Sequence, residues 1–104
     1  MALKIALKYT RDGSDTAEDI GALLLDDAHM LTAEPAHPGA ADYLRDLAEE
    51  INAWGCLHVN EAPPQAKPFE SWARVIERGT DEFPKVLQDL LKRDYGFEVV
   101  STEV

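Results

Sequence analysis

The chain has 104 residues, with 20 Asp and Glu against 10 Lys and Arg, a formal charge of -10 with its three histidines neutral. That length suits one domain, able to bury about two thirds of its unfolded surface without disulfides or a structural metal, and 45% hydrophobic and 29% charged residues are globular rather than disordered values. The acidity excludes a default nucleic-acid or anionic-membrane binder, because phosphate surfaces need Lys and Arg, and the lone Cys56 excludes an internal disulfide framework.

In chain order, Leu3, Ile5, Leu7 and Tyr9 alternate with Ala2, Lys4, Ala6 and Lys8, which predicts a first strand with one wet or edge face. Too short and too charged for a signal peptide or membrane span, this opening fits a cytoplasmic protein. Asp15 with Glu18 resembles a capping box, and Ala17, Ile20, Leu24, Ala28 and Leu31 recur at helical spacing, so a helix is expected from about residue 15 to about residue 31. A loop follows over Thr32 to Pro38.

Pro38 opens a second helix, with Leu44, Leu47, Ile51 and Trp54 as its apolar stripe and Gly55 as its stop. Leu57 and Val59 give a short second strand, and Ala62 to Pro68 reads as a proline-broken loop. Phe69, Trp72, Val75 and Ile76 predict a third helix ending at Gly79; Phe83, Val86, Leu87, Leu90 and Leu91 predict a fourth, closed by Gly96; Phe97 to Val104 reads as a last strand. The expected architecture is therefore α/β (or α+β): a small three-stranded, mainly parallel sheet with about four helices in the order β-α-α-β-α-α-β. The polar alternate positions of the strands point to one solvated face. Lys4 and Lys8 facing Glu98 and Glu103 would set the first and last strands side by side.

Charge is segregated along the chain. Residues 12–50 hold eleven acids and one base, Arg45, so this window alone carries a net -10. At 100° per residue Asp42, Asp46, Glu49 and Glu50 fall on one quarter of the second helix, opposite Leu44, Leu47 and Ile51. Asp15, Asp19 and Asp26 align on the expected first helix, so the two helices together would present one negative field. Carboxylates fixed on a helix can take the positions of phosphates and pair with Arg or Lys of a basic partner. Tyr43 and Trp54 are the aromatic residues best placed to show an edge beside those acids.

The element order, the acidic second helix and the closing segment, with Asp81, Phe83, Val86, Leu87, Phe97, Val99 and Val100, resemble barstar-type ribonuclease inhibitors. Where that family carries aromatic-Gly-x-Asn-Leu-Asp, this chain has His37, Pro38, Gly39, Ala40, Ala41 and Asp42. The resemblance implies a short parallel sheet bearing helices, and acids of the second helix, here Asp42 and Asp46, plugging the cationic active site of a nuclease. Small phage-encoded inhibitors such as anti-CRISPR or anti-restriction proteins use the same physics.

Other chemistry has little support in the residues. Cys56, His58, His29 and His37 include only one close-spaced pair of metal-ligand types, and the glycines are scattered with no phosphate-cradling cluster or Walker lysine, so no metal or cofactor is expected. Paired carboxylates such as Asp26 with Asp27 are too numerous to nominate for catalysis. The expected function is non-enzymatic: an immunity or nucleic-acid-mimic type inhibitor, bound through Asp42, Asp46, Glu49, Glu50, Asp19, Asp26 and Tyr43 to a basic protein, a nuclease or other nucleic-acid-binding enzyme. The alternative is an acidic interaction module or assembly subunit with an apolar contact surface.

Overall fold

Short turns between sequential strands dictate the architecture. The computed structural model describes residues 2–60, 65, 67 and 73–104. In it β1 (Leu3–Thr10), β2 (Ala17–Leu25) and β3 (Leu31–Pro35) form a meander, followed by α1 (Pro38–Ala53), the paired strands β4 (Cys56–Asn60) and β5 (Ala73–Glu77), α2 (Phe83–Arg93) and β6 (Glu98–Glu103). One sheet has the order β3-β2-β1-β6 and the other is β4-β5. Every pairing among them is antiparallel.

This corrects the mainly parallel, four-helix α/β expectation: among the described residues there are six strands and two helices. Parallel neighbours need crossovers of about a dozen residues or more, and the chain instead turns tightly at residues 11–16 and 26–30. At the first turn Gly13 takes φ 80° and the Ser14 amide donates to the Arg11 carbonyl at 3.0 Å. At the second, the Asp26 carboxylate accepts from the amides of Ala28 and Met30, each at 2.9 Å, an Asx-type turn. The short parallel sheet implied by the resemblance to barstar-type inhibitors is likewise not what these residues build.

The expected first helix is β2, its turn and the start of β3. A bulge explains the helical look of its sequence. The β1–β2 register jumps from Leu7 opposite Gly21 to Lys8 opposite Asp19, leaving Ile20 as the extra residue. A bulge breaks strict alternation, so Ile20 and Leu23, three apart, are both buried. Flanked by strands on both sides, β2 is apolar from Ile20 to Leu25, and such a run has no periodicity that distinguishes it from a buried helix. Gly21 makes the bulge possible: it has φ 121°, and a Cβ there would collide with the Glu34 carbonyl oxygen, the Ala36 amide and Leu44.

The expected third helix is corrected too, since Val75 and Ile76 belong to β5 and Val75 pairs with His58. Its Phe69 and Trp72 lie outside the described residues, as does most of the Ala62 to Pro68 loop. First and last strands are indeed neighbours, antiparallel, with Lys8 opposite Glu98, although Glu103 faces Leu3 rather than a lysine.

Ile5, Leu7, Leu23 and Leu25 point from the large sheet onto Leu44, Leu47 and Ile51 of α1 and, beyond them, Phe83, Leu87 and Leu91 of α2, in one continuous core. Lys4 and Glu34 lie on the opposite face of that sheet, where they pair at 3.2 Å across β2. Two side chains fasten α1. Asn52 pairs with the Leu31 backbone, accepting from its amide and donating to its carbonyl at 2.8 Å each, as a further strand residue would. Arg78 donates to the carbonyls of Ile51 (2.8 Å), Asn52 (3.3 Å) and Trp54 at the end of α1, and to that of His29 (2.7 Å) in the β2–β3 turn.

Candidate functional site

The orientation of α1 follows from its buried stripe. With Ala40, Leu44, Leu47, Ala48 and Ile51 inward, Asp42, Asp46 and Glu49 fall within about 60° of one another on the opposite, solvent side, at 100° per residue. All three are exposed, as are Glu50 and Tyr43, which share the flank of the helix next to this ridge. Arg45 is the only base on the helix and its Nη2 lies 2.8 Å from Asp42 Oδ1. That pair is open to water, the Asp42 side chain being 94% exposed, and contributes no more than about 1 kcal/mol. Asp46, Glu49 and Glu50 lie beyond it toward the C-terminal end.

Asp19 and Asp26 do not join this ridge. Both were expected on a helix beside α1; they sit instead near opposite ends of β2, roughly 20 Å apart along an extended chain. Asp19 Oδ1 accepts from the Gly21 amide at 2.9 Å, inside the bulge, and its residue is registered against Lys8. Asp26 holds the β2–β3 turn. On α1 the negative surface is therefore a ridge of three carboxylates with Glu50 on its flank, not a merged surface of two helices.

Beside the ridge lies a cleft of about 520 Å³. Phe97 is its floor, 5% exposed. Tyr9 from the end of β1 and Tyr43 from α1 meet the Phe97 ring edge-on, with centroids at 6.2 and 6.4 Å, while Tyr95 stacks on it at 6.0 Å with planes 4° apart. The chain reverses at Gly96, φ 73°, and the Phe97 amide donates to the Leu91 carbonyl at 3.2 Å, a Schellman-type helix ending that brings Tyr95 and Phe97 to one side. At the other end of the cleft Glu18 meets His37 (Oε1 to Nε2, 3.3 Å) and Arg11 (3.7 Å).

Electrostatics in the cleft are uniform in sign around the phenols. Partial burial raises the Tyr43 hydroxyl above its usual pKa, and the neighbouring Tyr9 and Glu50 push it further. Tyr95 is raised first by burial, then by Glu50, Tyr43 and Asp94. Glu50 thus bears on both phenols, and Asp94 on that of Tyr95.

Of this cluster, the sequence picks out only Tyr43. Tyr9 reads as one strand position among others and His37 as a loop residue; Tyr95 sits past the end of a helix. The local signal was Tyr95-Gly96-Phe97, two aromatics about a left-handed glycine, but only the pairing of β1 with β6 brings Tyr9 to them.

Cys56 and His58 share a face of β4, as residues two apart on a strand must, with Sγ 3.5 Å from Nε2. Among the described residues no third Cys, His, Asp or Glu completes a metal-binding group with them. Nor does any described helix have the length and apolarity to cross a membrane. Comparison with protein-family models, curated proteins and solved structures gives no match for the chain.

Proposed function

We propose that this protein is a non-enzymatic inhibitor that lays the α1 ridge into the cationic groove of a nucleic-acid-processing enzyme. The observation that carries this reading is the ridge itself. Asp42, Asp46, Glu49 and Glu50 lie within nine residues, about 12 Å of helix axis, at rises of about 6, 4.5 and 1.5 Å that average about 4 Å, against one phosphate per ~3.4 Å along one strand of duplex DNA. The helix that carries them is pinned by its buried stripe, by Asn52 and by Arg78, so the backbone bearing the charges is held in position before a partner arrives. Docking against Arg and Lys then costs the freedom of the exposed side chains but not that of the helix.

A net charge of -10 steers encounter with a basic surface at long range. Docking then excludes substrate from the groove, and no covalent chemistry by this chain is required. The test is capture of proteins from a cell lysate at low and high salt by the wild type and by an Asp42→Asn, Asp46→Asn, Glu49→Gln variant. The reading requires a basic partner held by the wild type at low salt, released at high salt and lost with the variant, whose action on nucleic acid stops on stoichiometric addition of the wild type. A partner equally retained by the variant overturns it.

A second reading, an acidic interaction module with an apolar contact, is favoured by the open face of the large sheet. There Leu24 and Ala6 are only partly covered and Val100 is 66% exposed. High salt separates the two readings, because an apolar complex holds or tightens where a charge-driven one weakens.

A further inference from the structure

We propose that the cleft over Phe97 is a receptor site for a donor-bearing organic cation, the guanidinium or primary ammonium group of an arginine or lysine side chain or of a free alkylamine. Its walls are Tyr9, Tyr43 and Tyr95, of which Tyr9 is 40% and Tyr43 50% exposed, so aromatic surface is presented to solvent around a buried aromatic floor. A cation placed against such rings is attracted by their negative faces, more strongly as water is excluded. Phenol oxygens and the Asp94 carboxylate supply acceptors beside the rings, and a planar guanidinium has donors for both while stacking on aromatic faces. A quaternary ammonium has no donors for them.

Charge selects the sign of the guest. Asp94 and Glu18 line the cleft and Glu50 acts on two of its tyrosines, whereas the Arg11 guanidinium and the His37 ring both lie against Glu18 at the far end. An anion would meet two carboxylates at the aromatic end, Asp94 and Glu50, and a neutral apolar guest would strip water from the phenols and Asp94 without replacing their hydrogen bonds. The volume, about 520 Å³, falls in the ordinary range of small-ligand sites, roughly 300 to 1,000 Å³.

The cleft adjoins the ridge, but Asp42, Asp46 and Glu49 are not among its lining residues, so a variant at those three lets the two sites fail separately. The experiment is an NMR titration of the full chain with acetyl-Gly-Arg-Gly-amide, its citrulline counterpart and butylamine, following the Tyr9, Tyr43, Tyr95 and Phe97 ring signals. Saturable shifts are expected with the arginine peptide and absent with the uncharged citrulline peptide. Binding of butylamine as tight as that of the arginine peptide identifies the free amine as a sufficient guest, and much weaker binding identifies the arginine side chain. Tyr43→Leu and, with packing preserved, Asp94→Asn should each raise Kd about fivefold, while the Asp42→Asn, Asp46→Asn, Glu49→Gln variant keeps the site. Equal binding of the citrulline peptide overturns the proposal, as does the lack of any saturable shift or an unchanged Kd in a folded Asp94→Asn protein.

Discussion

Arg78 joins more of the fold than any other polar side chain described. Its guanidinium reaches the carbonyls of Ile51, Asn52, Trp54 and His29 and lies 5.0 Å from the centre of the Phe83 ring, on which His29 also stacks. Carbonyls at a helix C-terminus have no partners within the helix and carry the negative end of its dipole, so a cation there both caps and neutralises. Arg78→Ala should lower unfolding free energy by about 2 to 4 kcal/mol, read by urea denaturation. Lysine should recover less than half, since an ammonium offers its three donors from a single nitrogen, whereas the guanidinium turns Nη1 to His29 and Nη2 to the end of α1. Full rescue by lysine would mean that charge alone matters.

Tyr43 and Tyr95 give a second residue-scale prediction. Their folded-state pKa values are raised above 10.0, so the native state keeps its phenol protons longer than the unfolded chain does. The stabilisation is therefore fully present below about pH 10 and is lost as pH rises through the folded values. Alkaline unfolding curves should show stability falling above about pH 10, and less steeply in a Tyr43→Phe, Tyr95→Phe protein. Phenolate absorbance that titrates at the free-tyrosine value in both tyrosines would contradict the electrostatics described for the cleft.

At the scale of elements, α1 carries a cost that folding does not explain. Asp46 lies at i,i+4 from both Asp42 and Glu50, and each like-charge pair opposes the helix by about 0.2 to 0.5 kcal/mol. Replacing both repulsions with attractions, Asp46→Lys should raise stability by about 1 kcal/mol at low salt and weaken partner capture. A stability loss would show that the carboxylate serves the fold. The helix α1 was legible from Leu44, Leu47 and Ile51, with Trp54 of the expected stripe falling at its C-cap, and α2 from Phe83, Val86, Leu87, Leu90 and Leu91, with Pro38 and Gly96 as end markers. β1 and β6 were legible from alternation. β2 was not, because a central strand is apolar on both faces and the Ile20 bulge imitates a helical period. β5 was not either, its Val75 and Ile76 being too short a run to separate from the end of a helix. The segment expected as the Thr32 to Pro38 loop also holds a strand, β3; with β2, β3 and β5 hidden as helix or loop, the visible strands require crossovers, and parallel topology follows from that.

For the whole molecule, the consequence of the true topology is that the acids divide. Asp26 builds a turn and Asp19 a bulge, leaving α1 with a run of four acids, Asp42, Asp46, Glu49 and Glu50, against one base. Composition made the excess legible and helical periodicity placed Asp42, Asp46, Glu49 and Glu50 together. The aromatic cleft beside them was not legible, since it draws on residues nearly ninety positions apart. A field of this kind should act mainly on the rate of encounter, with local contacts governing dissociation.

The most direct test is the association rate constant for the captured partner, measured by stopped flow across a series of salt concentrations. For the wild type it should fall steeply as salt rises. The Asp42→Asn, Asp46→Asn, Glu49→Gln variant should start at least tenfold slower at low salt and show a flatter slope, while Glu77→Gln with Glu103→Gln should stay close to wild type. Equal slopes for the ridge variant and the wild type would contradict capture by α1.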